Sequence, residues 1–522
     1  MVFDRAVLLD VFPVKYHTDV YDIVNIFYKG VIRRGNHICY GVADSDIISV
    51  SYTGDRCEIK IYFCARDGYV AESGNVAPER SIDTCECQTC FKTLVLFEYG
   101  KSVAYSIKMA LYRSLKMRAH YEQKRTRPLP WGALVGVRPV KLYSDLLDRG
   151  MSQSAIIDDM AWAYDIPEDT SLLCLKIATA QNPILRAYST DKDCMLYIGI
   201  PFCVSKCVYC SFPSDAHNKI EIYAKLYLDA LLKEIGFIAG YIKAEKRRIR
   251  AVYIGGGTPT ALETRELEKL VRGVADIFTD VFPDEITIEA GRADTINKEK
   301  LVVLLDAARI TGRLRLCINP QTMNERTLRL IGRNHTPEDV INAFWLAREA
   351  GFNDINMDII AGLPGEDICD FTDTLTAILK LRPESITSHT LCIKRSSRLN
   401  EFGKEYVYPD SEEVEKMQAA ARNFSVQMGM TPYYLYRQKN TIGNLANVGY
   451  AINGRECIYN IHEMADRIDV FAAGAGAVSK FMDAATGCIE RVFNVKNLLE
   501  YISRSDEMID RKKRYLTRLR KE

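Results

Sequence analysis

Between residues 195 and 428, short apolar runs alternate with amphipathic stretches six times in succession, which leaves the chain very few folds. The runs at 195–200 (MLYIGI), 251–254, 285–290, 314–318, 353–361 and 385–393 read as buried strands. Between and after them, helical spacing is expected over 221–239, 264–278, 298–308, 325–331 with 337–349, 371–381 and 412–428. Ile222, Leu226, Ala230 and Leu231 set the spacing of the first of these helices. Parallel strands need a crossover of a dozen residues or more, usually a helix, so strand–helix units in tandem predict a parallel α/β sheet. Such a sheet is either open or curled into a barrel, and it carries its chemistry at the carboxyl ends of its strands.

The flanks are less regular. Residues 1–130 are expected to form an amino-terminal extension that ends in a basic stretch with two prolines, 118–130. Residues 131–192 read as a connector, 193–400 as the core and 401–522 as a carboxy-terminal domain with a basic, helix-like end. Lys plus Arg number 69 and Asp plus Glu 68, so no global field directs the chain to nucleic acid or to a membrane surface. No apolar run reaches the ~18 residues of a membrane span. Asp4, Arg5 and Asp10 interrupt the first apolar run, against a signal peptide. A cytoplasmic location is expected, where the 16 cysteines stay reduced and a metal or cluster becomes the natural reading for well-spaced thiols.

That spacing exists directly after the first strand. Cys203, Cys207 and Cys210 form C-x3-C-x2-C on one loop, with Phe212 where a fourth cysteine could follow. Three thiolates can bind three irons of a [4Fe–4S] cube and leave the fourth iron open for a ligand. A zinc site would bring four ligands in two pairs, and no second pair of matching spacing follows. A second thiol group, Cys85, Cys87 and Cys90, could hold zinc or another cluster with Cys57 or Cys64.

The cysteine loop, residues 197–210 (YIGIPFCVSKCVYC), resembles that of the radical S-adenosylmethionine (SAM) superfamily. The set 255–260 (GGGTPT), 289–295 (EAGRADT), 319–323 (NPQTM), 356–366 (NMDIIAGLPGE) and 434–449 (YLYRQKNTIGNLANVG) narrows the resemblance to the oxygen-independent coproporphyrinogen III oxidase group, in its HemZ-type branch. The fold this implies is a partial (β/α)6 TIM-like barrel with an amino-terminal extension and a carboxy-terminal α+β domain. The cofactors implied are a [4Fe–4S] cluster on Cys203, Cys207 and Cys210, and SAM. By the same resemblance Gly256, Gly257 and Thr258 meet the methionine amino group, and Glu289, Gln321, Arg333 and Asp358 line the SAM pocket. The resemblance further implies that Tyr197 and Tyr209 flank the cluster and touch a cofactor molecule. Asp358 is also conspicuous on its own, because a carboxylate inside an apolar strand is costly unless it is paired or bound.

The resemblance implies a one-electron cleavage of SAM, hydrogen removal from a propionate of coproporphyrinogen III, and loss of CO2 to leave a vinyl group. A reduced donor of flavodoxin or ferredoxin type would supply the electron. Four substrate carboxylates call for cations, and Arg395, Arg398 and Arg437 are the candidates. Two departures stand out. Phe212 occupies the place of the oxidases' fourth cysteine, as in the related heme chaperones. The chaperones' His-Asn-x-x-Tyr-Trp motif is replaced here by Tyr436-Arg-Gln-Lys-Asn440, without histidine. A heme-delivery protein on the same fold and a radical SAM enzyme for another tetrapyrrole are the alternative readings.

Overall fold

The computed structural model describes residues 3–12, 23–24, 28–33, 46–53, 56–62, 90–95, 103–121, 129–136, 138–212, 217–278, 282–394, 397–401, 406–483 and 488–519. Contacts divide the chain into two units, Met1–Gly136 with Ser152–Leu172, and Val137–Met151 with Leu173–Glu522. The stretch 131–192, expected as one connector, is thus shared between them.

The first unit holds a sheet of β1 (Phe3–Phe12), β2 (Tyr28–Arg33), β3 (Asp46–Thr53), β4 (Arg56–Tyr62) and β5 (Cys90–Val95) in the order β2-β1-β3-β4-β5. β1 runs parallel to both neighbours, and β3, β4 and β5 are antiparallel. Helix α1 (Val103–Tyr121) packs on β4 and β5 and carries the beginning of the expected basic linker. It is tied to the helix Gln153–Tyr164 and its end by Tyr105, whose hydroxyl donates to the Ala163 carbonyl (2.7 Å), and by Lys116 on Asp165 (2.6 Å). Of the second thiol group, Cys85 and Cys87 lie outside the described residues, as does Cys64.

In the second unit six parallel strands lie side by side in chain order: β6 (Asp193–Ile200), β7 (Arg248–Gly256), β8 (Glu285–Glu289), β9 (Leu314–Cys317), β10 (Ile355–Ala361) and β11 (Ser385–Thr390). The crossovers are α2 (His217–Ala244), α3 (Thr264–Ile277), α4 (Lys298–Leu305), α5 (Glu325–Leu330) with α6 (Pro337–Ala350), and α7 (Ile368–Leu381). Each forms for local reasons. On α3, Leu267, Leu270, Val271 and Val274 place one buried stripe at helical spacing. α6 starts on a Thr336–Asp339 capping box with Pro337 behind it, and stops at Gly351, whose φ of +112° glycine adopts without strain. α7 has the equivalent box from Asp367 and Asp370.

Along the strands a period of two separates two surfaces. Ile286 and Ile288 of β8, and Met357 and Ile359 of β10, are buried apolar residues. The alternate positions are polar: Thr287 and Glu289 on β8, Arg315 and Cys317 on β9, Asn356 and Asp358 on β10, Thr387 and His389 on β11. All eight line one cavity. A parallel strand buried on both faces is ordinarily apolar throughout, so this alternation marks a sheet curled round a polar chamber. The partial barrel implied by the sequence resemblance is thereby observed.

Residues 401–522 contribute helices and strands that continue the same sheet at both edges. After α8 (Ser411–Gln427), β12 (Thr431–Arg437) and β13 (Ala446–Ala451) form an antiparallel pair added to β11. The chain then crosses to the opposite edge, where β14 (Asp469–Ala473) pairs in parallel with β6 and leads to β15 (Val478–Met482) and β16 (Ile489–Phe493). The crossing segment is α9 (Ile458–Ala465), which packs against both β7 and β12. Glu285, at the start of β8, accepts from the Ile458 and Tyr459 backbone N–H groups (3.2 and 3.3 Å) and from the Cys457 thiol (3.2 Å). It is therefore the anion at the amino end of α9. The other side of the same carboxylate faces Arg313 and Arg315, and Arg315 also binds Asp354 (3.2 Å). Because Glu285 and Asp354 precede or begin their strands, α9 closes the chamber at the amino ends of the barrel strands. The last helix, α10 (Ser505–Leu519), is pinned to α2 by Lys512 on Glu234 (2.6 Å), both side chains fully buried.

No helix among the described residues is long and apolar enough to cross a membrane.

Candidate active site

The chamber has a volume of about 440 Å3 and runs from the cysteine loop, at the carboxyl ends of the strands, down to α9. Cys203, Cys207 and Cys210 all face it, although their loop is held mainly by backbone bonds: Cys210 N–H to the Cys207 carbonyl (3.1 Å) and Val208 N–H to the Ile331 carbonyl (3.1 Å). Cys203 lies 3.3 Å from the Thr258 hydroxyl. Arg292 donates to Cys207 (3.7 Å), and the Arg333 guanidinium stands beside Cys207 and Tyr209. Among the described residues no three His, Cys, Asp or Glu side chains are gathered as for a single metal ion. A cube with one thiolate per iron spaces its ligands further apart than a single ion does, so three thiols on one loop at the chamber mouth fit the larger group.

The glycine turn lies against this loop. Gly257 N–H donates to the Ile200 carbonyl and Thr258 N–H to the Phe202 carbonyl, both at 2.7 Å. A Cβ on Gly257 would stand 2.3 Å from the Phe202 oxygen, and Gly256 has a φ of +105°, so both positions require glycine. With those two N–H groups already used, the polarity left for a ligand is acceptor polarity, which suits an ammonium group. Gln321 follows β9 with a φ of +67°, unusual for a side chain of that size. It is buried, its Oε1 has no partner, and it lines the chamber. A strained residue with an orphaned acceptor is a place prepared for a ligand donor.

Two carboxylates on the strands either side of β9 have opposite electrostatic settings. Burial pushes Glu289 up to about 7, against the Tyr253 hydroxyl that donates to it (2.6 Å), and nearby Asp358 adds to the rise. Burial also works against ionised Asp358. His389 (3.6 Å) and Asn356 (2.8 Å) outweigh it and hold that carboxyl below its usual range. His389 is held in turn by the Tyr436 hydroxyl on its Nδ1 (3.2 Å). Glu289 is favoured as the neutral acid in the folded state, so its contribution to stability is present below its ordinary value near 4.5 and is lost as pH rises through 7. In the cofactor-free protein, Glu289→Gln is expected to match the parent near pH 4 and to exceed it by about 3 kcal/mol at pH 8 in chemical denaturation. A constant difference at both pH values would refute this.

Of the residues singled out from sequence, the chamber brings together Cys203, Cys207, Cys210, Tyr209, Gly256, Gly257, Thr258, Glu289, Gln321, Arg333 and Asp358. Tyr197 stands behind this wall, stacked on Tyr253 (6.2 Å), with its hydroxyl against Gly256. Arg437 is buried on β12 away from the chamber, bonded to Asn444 (2.9 Å), and Arg398 is exposed. Arg395 lies outside the described residues. Sequence reasoning passed over His389, Tyr253, Tyr436 and Arg292. The first three could have been found from the period of two, since each lies on the side of the sheet that carries Glu289 and Asp358 on β8 and β10.

Residues 197–378 match the model of the Radical SAM superfamily, which is the class of protein the barrel and cysteine loop define. The chain is 40% identical over 393 residues to the oxygen-independent coproporphyrinogen-III oxidase-like protein HemZ of Bacillus subtilis (strain 168), covering 74% of this chain and 77% of that protein. It is 32% identical over 228 residues to the heme chaperone HemW of the same organism, covering 42% and 56% of the two chains. Among solved structures it is similar to coproporphyrinogen III oxidase (HemN) from Escherichia coli, a radical SAM enzyme, with 22% identity, a TM-score of 0.46 and coverage of 64% and 73%. The chain belongs to the HemZ-type, coproporphyrinogen-III-oxidase-like family of radical SAM proteins. It accordingly uses a [4Fe–4S] cluster and SAM.

Proposed function

We propose that this chain converts coproporphyrinogen III to protoporphyrinogen IX by oxygen-independent oxidative decarboxylation. The observation that carries the reading is the chamber in which a three-thiol loop faces two half-buried carboxylates of opposite charge preference. When bound, the cluster and SAM supply a reductive cleavage that yields a carbon radical able to remove an unactivated hydrogen. Cys203, Cys207 and Cys210 hold the cluster. Gly256, Gly257 and Thr258 take the amino group of SAM, while Glu289, Gln321, Arg333 and Asp358 orient the rest of that molecule. Tyr209 forms the wall beside the thiols and Tyr197 supports the glycine turn. The chain's contribution is to fix the reacting groups at close range and to exclude water, which α9 does from below.

Each round takes one hydrogen atom from a propionate side chain, releases its carboxylate as CO2 and passes one electron to a one-electron acceptor, and two rounds leave two vinyl groups. The substrate's remaining carboxylates need cations. Lys206, exposed at the chamber mouth, is better placed for them than Arg437 or Arg398. The electron comes from a flavodoxin- or ferredoxin-type donor in the reducing cytoplasm, where the thiols stay available.

Anaerobically reconstituted protein given SAM, reductant and coproporphyrinogen III is expected to form 5′-deoxyadenosine and a product lighter by two CO2 and four hydrogens, read by mass spectrometry. Nucleoside release with unchanged porphyrinogen would reject the substrate. A Soret band on heme titration without any turnover would favour the heme-delivery reading, which the similarity to HemW makes the principal alternative.

A further inference from the structure

Arg292 is one of the largest fully buried side chains of the chain, at 1% exposure, and it lies against the cysteine loop. Its five N–H donors are shared in a defined way. Nε and Nη2 grip the Asp294 carboxylate at 3.1 and 3.0 Å. Nη1 donates to the Ser205 hydroxyl (2.8 Å) and to the Cys207 sulfur (3.7 Å). Asp294 is held well below the usual carboxylate range; burial opposes its charge, but His335 and Arg292 outweigh it. The pair is therefore ionised. Arg333 also stands beside Cys207. Cys203 meets only a neutral hydroxyl among the described side-chain partners, so the three thiols are electrostatically unequal.

We propose that Arg292 sets the reduction potential of the cluster through the Cys207 sulfur, with Asp294 as the counter-charge that limits the effect. The inference rests on the assignment of the three cysteines as cluster ligands. On one-electron reduction the [4Fe–4S]2+ form takes an electron from the reductant and becomes [4Fe–4S]+, which carries one more negative charge and has no compensating proton. Hydrogen bonds to the ligand sulfurs and fixed local charge stabilise that extra charge and raise the potential. A guanidinium clamped by Asp294 cannot turn away, and no solvent screens it. Asp294 offsets part of its charge, so the two residues act with opposite sign. Arg292 is a positioning residue in this scheme, because it acts through Cys207 and does not touch substrate.

The test is a potentiometric titration with dithionite of the reconstituted full-length protein, without SAM, followed by electron paramagnetic resonance. Arg292→Gln is expected to shift the midpoint downward, and Asp294→Asn to shift it upward. The exposed Arg329→Gln, which removes the same charge from the surface, is expected to leave it unchanged. An Arg292→Gln midpoint equal to that of the parent, or a shift no larger than that of Arg329→Gln, overturns the proposal. If Arg292→Gln protein takes up no cluster, Asp294→Asn decides alone: an upward shift supports the proposal, and no shift or a downward one overturns it. Failure of the parent itself to take up a cluster would be a different result, removing the ligand assignment and this inference with it.

Discussion

Protein with Cys207→Ser, reconstituted with iron and sulfide under anaerobic conditions, is expected to lose the cluster signal and to lower 5′-deoxyadenosine formation by at least about a hundredfold. Loss of a partner one layer out from a metal already costs ~10- to 100-fold, and here a direct ligand is removed. The serine hydroxyl does not ionise at neutral pH, so it replaces a thiolate poorly. The surroundings make the change worse: Arg292 and Arg333 are both buried beside Cys207, and without a thiolate both lose a negatively charged neighbour. The chamber supplies its own controls. Cys317 and Cys457 also line it, yet both belong to the wall or floor, and burial pushes the Cys457 thiol up to about 12. Cys317→Ser and Cys457→Ser are expected to retain iron. Iron content and nucleoside release decide the matter, and a Cys207→Ser protein with both intact would remove the cluster from this loop.

The second large effect is on stability. Glu285→Ala is expected to cost about 3–5 kcal/mol, the range for removing one partner of a buried ion pair. The change leaves Arg315 buried with a single carboxylate, Asp354, and it takes the anion from the start of α9. The pH dependence is fixed in sign. Burial opposes ionised Glu285, but Arg315 and Arg313 outweigh it and lower its pKa in the folded chain. Its contribution is therefore full above the unfolded value and disappears as pH falls through the folded one. Urea unfolding curves of parent and variant should be well separated at pH 7 and should approach each other in acid. Coincident curves at pH 7 would mean that the floor of the barrel does not depend on this residue.

Much of this architecture was written in local patterns. Apolar runs place the six strands of the core, and helical spacing places their crossovers, to within a few residues of where they lie. The observed helix at 411–427 was expected at 412–428, because a stripe and a cap are properties of neighbouring residues. The thiol loop and the glycine turn were equally visible, since their chemistry depends on spacing along the chain. What was hidden depends on partners far away in sequence. Nothing local in 469–473 says that the strand pairs with β6, some 270 residues earlier, rather than extending a separate carboxy-terminal domain. The substrate arginines illustrate the same limit. Arg437 has the right charge in a family-like segment, but it alternates with Tyr436 on β12 and lies on the Asn444 side of the strand, and only the assembled sheet reveals which face that is. The period of two places His389 and Tyr436 on the chamber side, but their link to Asp358 appears only in the assembled sheet.

The crossing of α9 beneath the barrel also orders the birth of the protein. During translation all six strand–helix units leave the ribosome before Ile458 does. The nascent chain can therefore pair its parallel strands and seat its sulfur loop while the lower end still stands open to water. Only when 458–473 emerge does Glu285 acquire a helix to anchor and β6 a neighbour on its free edge. A message stopped upstream of that point would yield every thiol of the loop and both acidic strands in a vessel without a bottom.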